Sequence, residues 1–238
     1  MATKNYVDLD MPVRGRCRKW ERKAVCLSFD GEDDYVEVPD DSSLRFPDQV
    51  TFEAWVYIRS LPEYKCIYNK PDHTTGLLSE TDSRGFSFSV VIAGTRQKLD
   101  RNTATELNKW YHVVGTYVGS TGEQKIYVNG ALENSRTGDT GTIDSKVGDN
   151  VYIGSRAGGN HFMDGFINEV RIYARALPLD EIQWNYMHRF RPYSTEGLVL
   201  WLPMNECVGK WAFDVSGHQN HGELFGPVWR DEVTITDL

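Results

Sequence analysis

Hydrophobic positions along this chain recur mostly at every second residue. In VTFEAWVYI, Val50, Phe52, Ala54, Val56 and Ile58 share one face, while Thr51, Glu53, Trp55 and Tyr57 share the other. FSFSVVI repeats the pattern with Phe86, Phe88, Val90 and Ile92, and WYHVVGTYV and FINEVRIY follow it. A strand sends successive side chains to opposite faces, so each run predicts a strand with one face on a core. QKIYVNGALENS predicts a hairpin, because Asn129-Gly130 supplies the two positive-φ residues of a tight turn. GLVLWL, from Gly197 to Leu202, is apolar on both faces and predicts an interior strand.

The helical period occurs in LPLDEIQWNYM. Pro178 stands early, Asp180 and Glu181 fall in the first turn, and Ile182 and Tyr186 share a face, which predicts one short helix near 178–188. Turn signals such as DG, NG, GG and SG separate the other runs. Many short strands with one late helix predict an all-β fold, a two-sheet antiparallel jelly-roll sandwich.

Length and charge narrow this reading. A chain of 238 residues can bury one sizeable core, so residues 24–230 are expected to form a single domain. Residues 1–23 are expected to be an N-terminal arm and 231–238 a tail. The net charge of −8 argues against nucleic acid as the main partner and suits a divalent cation. The basic cluster Arg14–Lys23 breaks that trend, as a solvated arm or as a contact for an acidic partner. No apolar run approaches membrane-spanning length, which argues against membrane insertion, and MATKNYVDLDM lacks the apolar centre of a secretion signal. The chain as given therefore reads as an excised domain, a cytosolic protein, or one that leaves the cell by another route. Cys17, Cys26, Cys66 and Cys207 have irregular spacing without a CxxC pair, which leaves thiols and disulfides both open and disfavours zinc.

Five strings in order, AVCLSFDGEDDYVEVPD, VTFEAWVYI, KWYHVVGTYVG, IYVNGAL and GFINEVRIYARALPLDEI, resemble the laminin-G-like, concanavalin-A-like jelly-roll family. The resemblance covers Ala24 to about His188 and implies that fold. It also implies that an opening strand and a DxSGxxNHG-like loop should precede the FDG strand. Here LVLWLPMNE and DVSGHQNHG follow the helix instead. Either the closing segment 197–230 folds back into the vacant slot, as in a circular permutation, or it fills the slot of a neighbouring copy, which would make a homo-oligomer by strand exchange. Some filling is expected, because a missing strand leaves two rows of backbone groups unpaired.

The resemblance further implies a structural calcium ion, with Asp214, Asp30 and Glu169 as carboxylate ligands and carbonyls near Gly31, Asn220 and His221 completing the shell. The alternative for Asp214 is an Asx-type turn that satisfies local N–H groups. Lectin-like sandwiches bind glycans through aromatic rings, amides and carboxylates, which implies loop candidates Tyr68, Asn69, Arg96, Arg156, Asn160, His161 and Asp164. Tyr64, Asp72 and His73 belong to the same group. SRAGGNHFMDG is the most attractive loop, since its glycines let a ligand approach the backbone.

Enzymatic signals are weak. Glu32, Asp34 and Glu37 match the E-x-D-x-x-E spacing of some glycoside hydrolases, but Glu32 falls in a turn rather than on a strand. There is no nucleophile elbow or P-loop, and His112 reads as packed beside Trp110 rather than as a base. The favoured expectation is a non-catalytic, lectin-like recognition or adhesion module for glycans or glycosylated surfaces, extracellular or surface-associated. The alternatives are a structural or decoration subunit of a virion or cell-surface assembly, and, third, a glycoside hydrolase.

Overall fold

The computed structural model describes residues 25–46, 48–61, 65–70, 75–80 and 85–231. The strands are β1 (Val25–Asp30), β2 (Tyr35–Val38), β3 (Gln49–Ile58), β4 (Lys65–Lys70), β5 (Thr75–Glu80), β6 (Gly85–Ile92), β7 (Thr95–Asp100) and β8 (Trp110–Val118). They continue as β9 (Glu123–Val128), β10 (Ala131–Thr137), β11 (Val151–Ile153), β12 (Asp164–Tyr173), β13 (Leu198–Leu202), β14 (Trp211–Ala212), β15 (Gly222–Phe225) and β16 (Val228–Asp231). Between β12 and β13 stands one α-helix, α1 (Leu179–Met187), which starts after Pro178.

Two eight-stranded antiparallel sheets face each other. The first has the order β10-β9-β8-β3-β12-β1-β16, with β13 also paired to β12. The second has the order β14-β15-β2-β11-β4-β5-β6-β7. The period-two faces are the facing layers: Val50, Phe52, Ala54, Val56 and Ile58 meet Phe86, Phe88, Val90 and Ile92 in one core. The hairpin turns at Asn129 (φ 51°) and Gly130 (φ 74°) between β9 and β10.

The other face of β3 is also covered, because α1 lies over it. Trp55 stacks on Tyr186 at 5.7 Å, and Ile182 joins Val114, Tyr127, Tyr173, Leu177 and Leu198 in a second, smaller core. Glu53 lies under this lid and accepts hydrogen bonds from Arg171 (2.7 Å) and Asn185 (2.9 Å), and its carboxylate meets His112 Nε2 at 3.0 Å. His112 packs on Trp55 at 5.3 Å, and Trp110, two residues earlier on β8, lies on the same face of that strand.

The closing segment enters the sandwich of its own chain. β13 pairs with β12, β16 with β1, and β15 with β2. It therefore completes both sheets, and Val199, Leu200, Leu202, Met204 and Ala212 join the main core. The N-terminal arm and nearly all of the C-terminal tail lie outside the described residues. Cys26 and Cys66 are buried thiols, so a two-bridge framework is ruled out. Among the described residues, no helix is long and apolar enough to cross a membrane.

Candidate functional site

Five strands of the second sheet align one row of side chains. Trp211 stands opposite Glu223, Glu223 opposite Glu37, Glu37 opposite Tyr152, and Tyr152 opposite Asn69. At about 4.8 Å per strand the row runs roughly 19 Å. The alternate residues Val36, Val38, Val151, Ile153 and Ala212 are in the core, so the row occupies the outer face. In a second row, Phe225 stands opposite Tyr35.

Aromatic rings cluster where the rows meet. Tyr35 and Phe225 stack at 4.8 Å with an interplanar angle of 12°, and Tyr35 and Tyr152 lie 6.0 Å apart. The 154–163 loop leans on these rings at Gly158 (φ 65°), where a Cβ would come within 3.2 Å of Tyr152 and 3.3 Å of Tyr35. The face is open over β15, β2 and β11, with Phe225 39% exposed, and closes at Asn69, which is fully buried.

Glu37 sits among the rings. Its Oε1 accepts from Asn150 Nδ2 and, at 3.5 Å, from the Tyr152 hydroxyl. Its Oε2 takes no hydrogen bond among the described residues. Burial raises the Tyr35 and Tyr152 hydroxyls above the ordinary phenol range, and the Glu37 charge adds to it. Both phenols are therefore neutral donors at pH 7. Partly exposed rings beside a carboxylate with a spare acceptor can pack against the C–H side of a sugar while the carboxylate accepts from its hydroxyls.

The predicted ligand residues divide between this face and other places. Arg156, Asn160 and His161 are on the loop beside the rings, laced by Arg156 N to Asn160 O (2.8 Å) and Cys66 N to His161 O (2.9 Å). Asn69 ends the row. Arg96 is exposed on β7, and its charge and that of Arg156 both act on Cys66, whose thiol burial pushes up. Tyr68 is a correction: a register shift between Cys66 and Tyr68 turns its ring into the core, 4.3 Å from Phe52. Asp164 is also a correction, since it is committed to Arg59 (2.8 Å) and Ser60 at the start of β12. Tyr64, Asp72 and His73 lie outside the described residues. Sequence reasoning missed Tyr35, Tyr152 and Phe225; their outward places in alternating strands were the available signal.

The six metal candidates do not converge. Asp30 pairs with Asp164, and Glu169 lies five residues further along β12, roughly 16 Å away. Glu169 is buried against Arg171 and accepts from Trp201 Nε1 at 2.8 Å; burial pushes its carboxyl up to about 7, against the pull of Arg171. Asp214 accepts from Trp201 N, Ser216 N, Ser216 Oγ and Asn220 N at 2.8–2.9 Å, which is the Asx-type turn. His221 Nδ1 accepts from Asp214 N, and Asn220 Nδ2 donates to Ser43 Oγ and Val199 O. Gly31 packs against Asp164. A different trio, Asp30, Asp33 and Asp34, brings carboxylate oxygens within 4.8 Å of one another. Two of these carboxylates already serve the turn: Asp30 Oδ1 accepts from Glu32 N (2.9 Å), and Asp34 Oδ2 accepts from Asp30 N (2.8 Å). Burial raises Asp34 to about 6. The hydrolase spacing is thus split between this turn, which holds Glu32 and Asp34, and the aromatic face, which holds Glu37.

Comparison with known proteins places this geometry. The family model of the concanavalin A-like lectin/glucanases superfamily matches residues 30–183. A search of curated protein sequences finds no match. Among solved structures, a protein of Bacteroides ovatus ATCC 8483 designated as carbohydrate-binding is similar over 89% of this chain, with a TM-score of 0.72 and 21% identity. The match takes in 60% of that protein, so this chain spans less than two thirds of its length. The SAP-like pentraxin of Limulus polyphemus, a heptamer, is similar over 69% of this chain and 82% of its own, with a TM-score of 0.53 and 16% identity. The CBM40 of Ruminococcus gnavus IT-sialidase, also solved with alpha2,3 sialyllactose, is similar over 66% of this chain and 95% of its own, with a TM-score of 0.53 and 17% identity.

Proposed function

Because this chain belongs to the concanavalin A-like lectin/glucanase superfamily, we propose that it is a non-catalytic recognition module that binds glycans on the Tyr35–Tyr152–Phe225 face. One observation carries the reading: stacked rings on an open sheet face flank a carboxylate with a spare acceptor oxygen. The carbohydrate-binding designation of the Bacteroides protein and the sialyllactose complex of the CBM40 support it. Tyr35 and Phe225 supply the apolar contact surface, Glu37 and Asn150 hold hydroxyls, and the Arg156–Asn160 loop borders the bound sugar.

A glycan array probed with the whole protein tests this reading. Binding is expected, with Tyr35→Ala and Phe225→Ala each weakening it about tenfold or more, in line with the roughly 1–3 kcal/mol of an aromatic anchor. Binding that both variants retain in full would move the site elsewhere. A structural calcium ion, as the resemblance implies, would find its carboxylates in the Asp30–Asp33–Asp34 turn; calcium titration by calorimetry tests it. Location outside the cell or on a surface follows from the same reading, and immunostaining of intact and permeabilised cells checks it.

A further inference from the structure

The aromatic face carries an unusual charge arrangement. Glu37 and Glu223 stand directly opposite each other on neighbouring strands. Like charges in that position destabilise a sheet, so nothing in the packing calls for them. Lys210 offsets Glu223 at 2.6 Å, whereas Glu37 is held by a neutral amide and a phenol. At the end of the second row, Gly226 packs against the Asp34 carboxyl, and Asp30 and Asp33 stand beside it. Three cations lie by this region, Lys210, Arg59, whose charge acts on Asp34, and Arg156, exposed on the 154–163 loop; the carboxylates Glu37, Glu223, Asp30, Asp33 and Asp34 outnumber them. A sugar packed against Tyr35 and Phe225 would thus rest in an excess of carboxylates.

Resting on the glycan reading of this face, we propose that it selects uncharged glycans and turns away glycans that carry sialic or uronic acid. Glu37 accepts hydroxyl hydrogen bonds, and together with Glu223 it repels a second carboxylate brought within a few ångströms. This specificity is opposite to that of the sialyllactose-bound CBM40, although the fold is shared.

The test uses the whole protein against printed pairs of oligosaccharides that differ only by a terminal sialic acid, followed by titration of the best pair. The neutral member is expected to bind at least about tenfold more tightly at low salt, with the gap narrowing as salt rises. Glu223→Gln leaves Lys210 uncompensated and is expected to narrow the gap several-fold. Equal or tighter binding of the sialylated member would overturn the selectivity and leave the glycan reading intact. A gap that Glu223→Gln does not change would overturn its assignment to these carboxylates. Binding of neither member, across the whole array, would overturn the glycan reading itself.

Discussion

The Asn168 side chain donates from Nδ2 to the Val25 carbonyl at 2.6 Å. The same nitrogen reaches the Met204 carbonyl at 3.5 Å. Val25 begins β1 and Met204 lies just beyond β13, so one buried amide joins the start of the described chain to its closing segment. β13 lies opposite Val170–Tyr173, and β1 lies opposite Asp164–Ile167, on the same side of β12. Two strands far apart in sequence are therefore laid end to end, and β12 bulges at the seam, where Glu169 takes φ 53°.

Asn168→Ala removes this tie and is expected to lower stability by about 1–3 kcal/mol. For a chain of this size that is roughly 2–4 °C of melting temperature per kcal/mol. Asn168→Asp should cost more, because it sets carboxylate oxygens against two carbonyls. Thermal melts of the two variants decide the matter; an Asp variant as stable as wild type would show that the seam is not held here.

Much of this arrangement could be read from the residues. The alternation in VTFEAWVYI and FSFSVVI specified which side chains meet between the sheets, because one face of each strand must leave water. The closing strand was legible as GLVLWL, since no surface strand is apolar on both faces. The functional face was not. Tyr35, Tyr152 and Phe225 come from three strands scattered along the sequence, and only the pairing register brings them together. The protein partners of Asp214 and Glu169 were hidden for a related reason: they are backbone N–H groups and a buried cation that spacing does not show.

Removing everything beyond Ser194 should prevent folding. The deletion strips β13–β16, uncovers both sheets beside β12, β1 and β2, and exposes core residues such as Leu200 and Leu202, each worth roughly 1.5–3 kcal/mol when buried. Loss of cooperative melting, or insoluble product, is the expected result. Light scattering of the full chain adds a control: an intramolecular closure gives a mass independent of concentration, whereas strand exchange gives a concentration-dependent oligomer.

Asp40 predicts an acid-sensitive step. It accepts from Lys70 Nζ at 3.1 Å, from Gly148 N at 2.7 Å and from Arg45. Burial would raise its carboxyl, but these three partners outweigh burial and bring it down to about 2. A carboxyl depressed on folding stabilises the protein above its unfolded value, near 3.8, and loses that contribution as pH falls toward 2. Asp40→Asn should therefore be clearly less stable than wild type at pH 7, where Lys70 stays buried without its carboxylate. The difference should shrink between about pH 4 and pH 2.5, as followed by denaturant unfolding. A gap that stays constant with pH would disprove the ionic role.

Glu53 is the buried centre beneath α1. Burial raises its carboxyl, yet Arg171, His112 and Asn185 together bring it down to about 2. Glu53→Ala leaves Arg171 buried without that partner and should cost about 3–5 kcal/mol. Glu53→Gln keeps the shape and should cost less, since an amide oxygen still accepts from Arg171. Urea unfolding of both variants separates the charge from the volume.

Asp214 supplies the last prediction. Its carboxylate takes four hydrogen bonds from the chain itself, one of them from the Trp201 backbone in β13, so it ties the 214–220 loop to the closing strand. Calcium would need six to eight oxygens, and each lone pair engaged by an N–H is lost to it. Asp214→Ala is therefore expected to cost about 2–4 kcal/mol, because several hydrogen bonds to one charged group disappear together. The loss should be the same in millimolar calcium and in chelator. If calcium instead raises the wild-type melting temperature while leaving that of Asp214→Ala unmoved, an ion sits on this carboxylate and displaces part of the hydrogen-bonded turn.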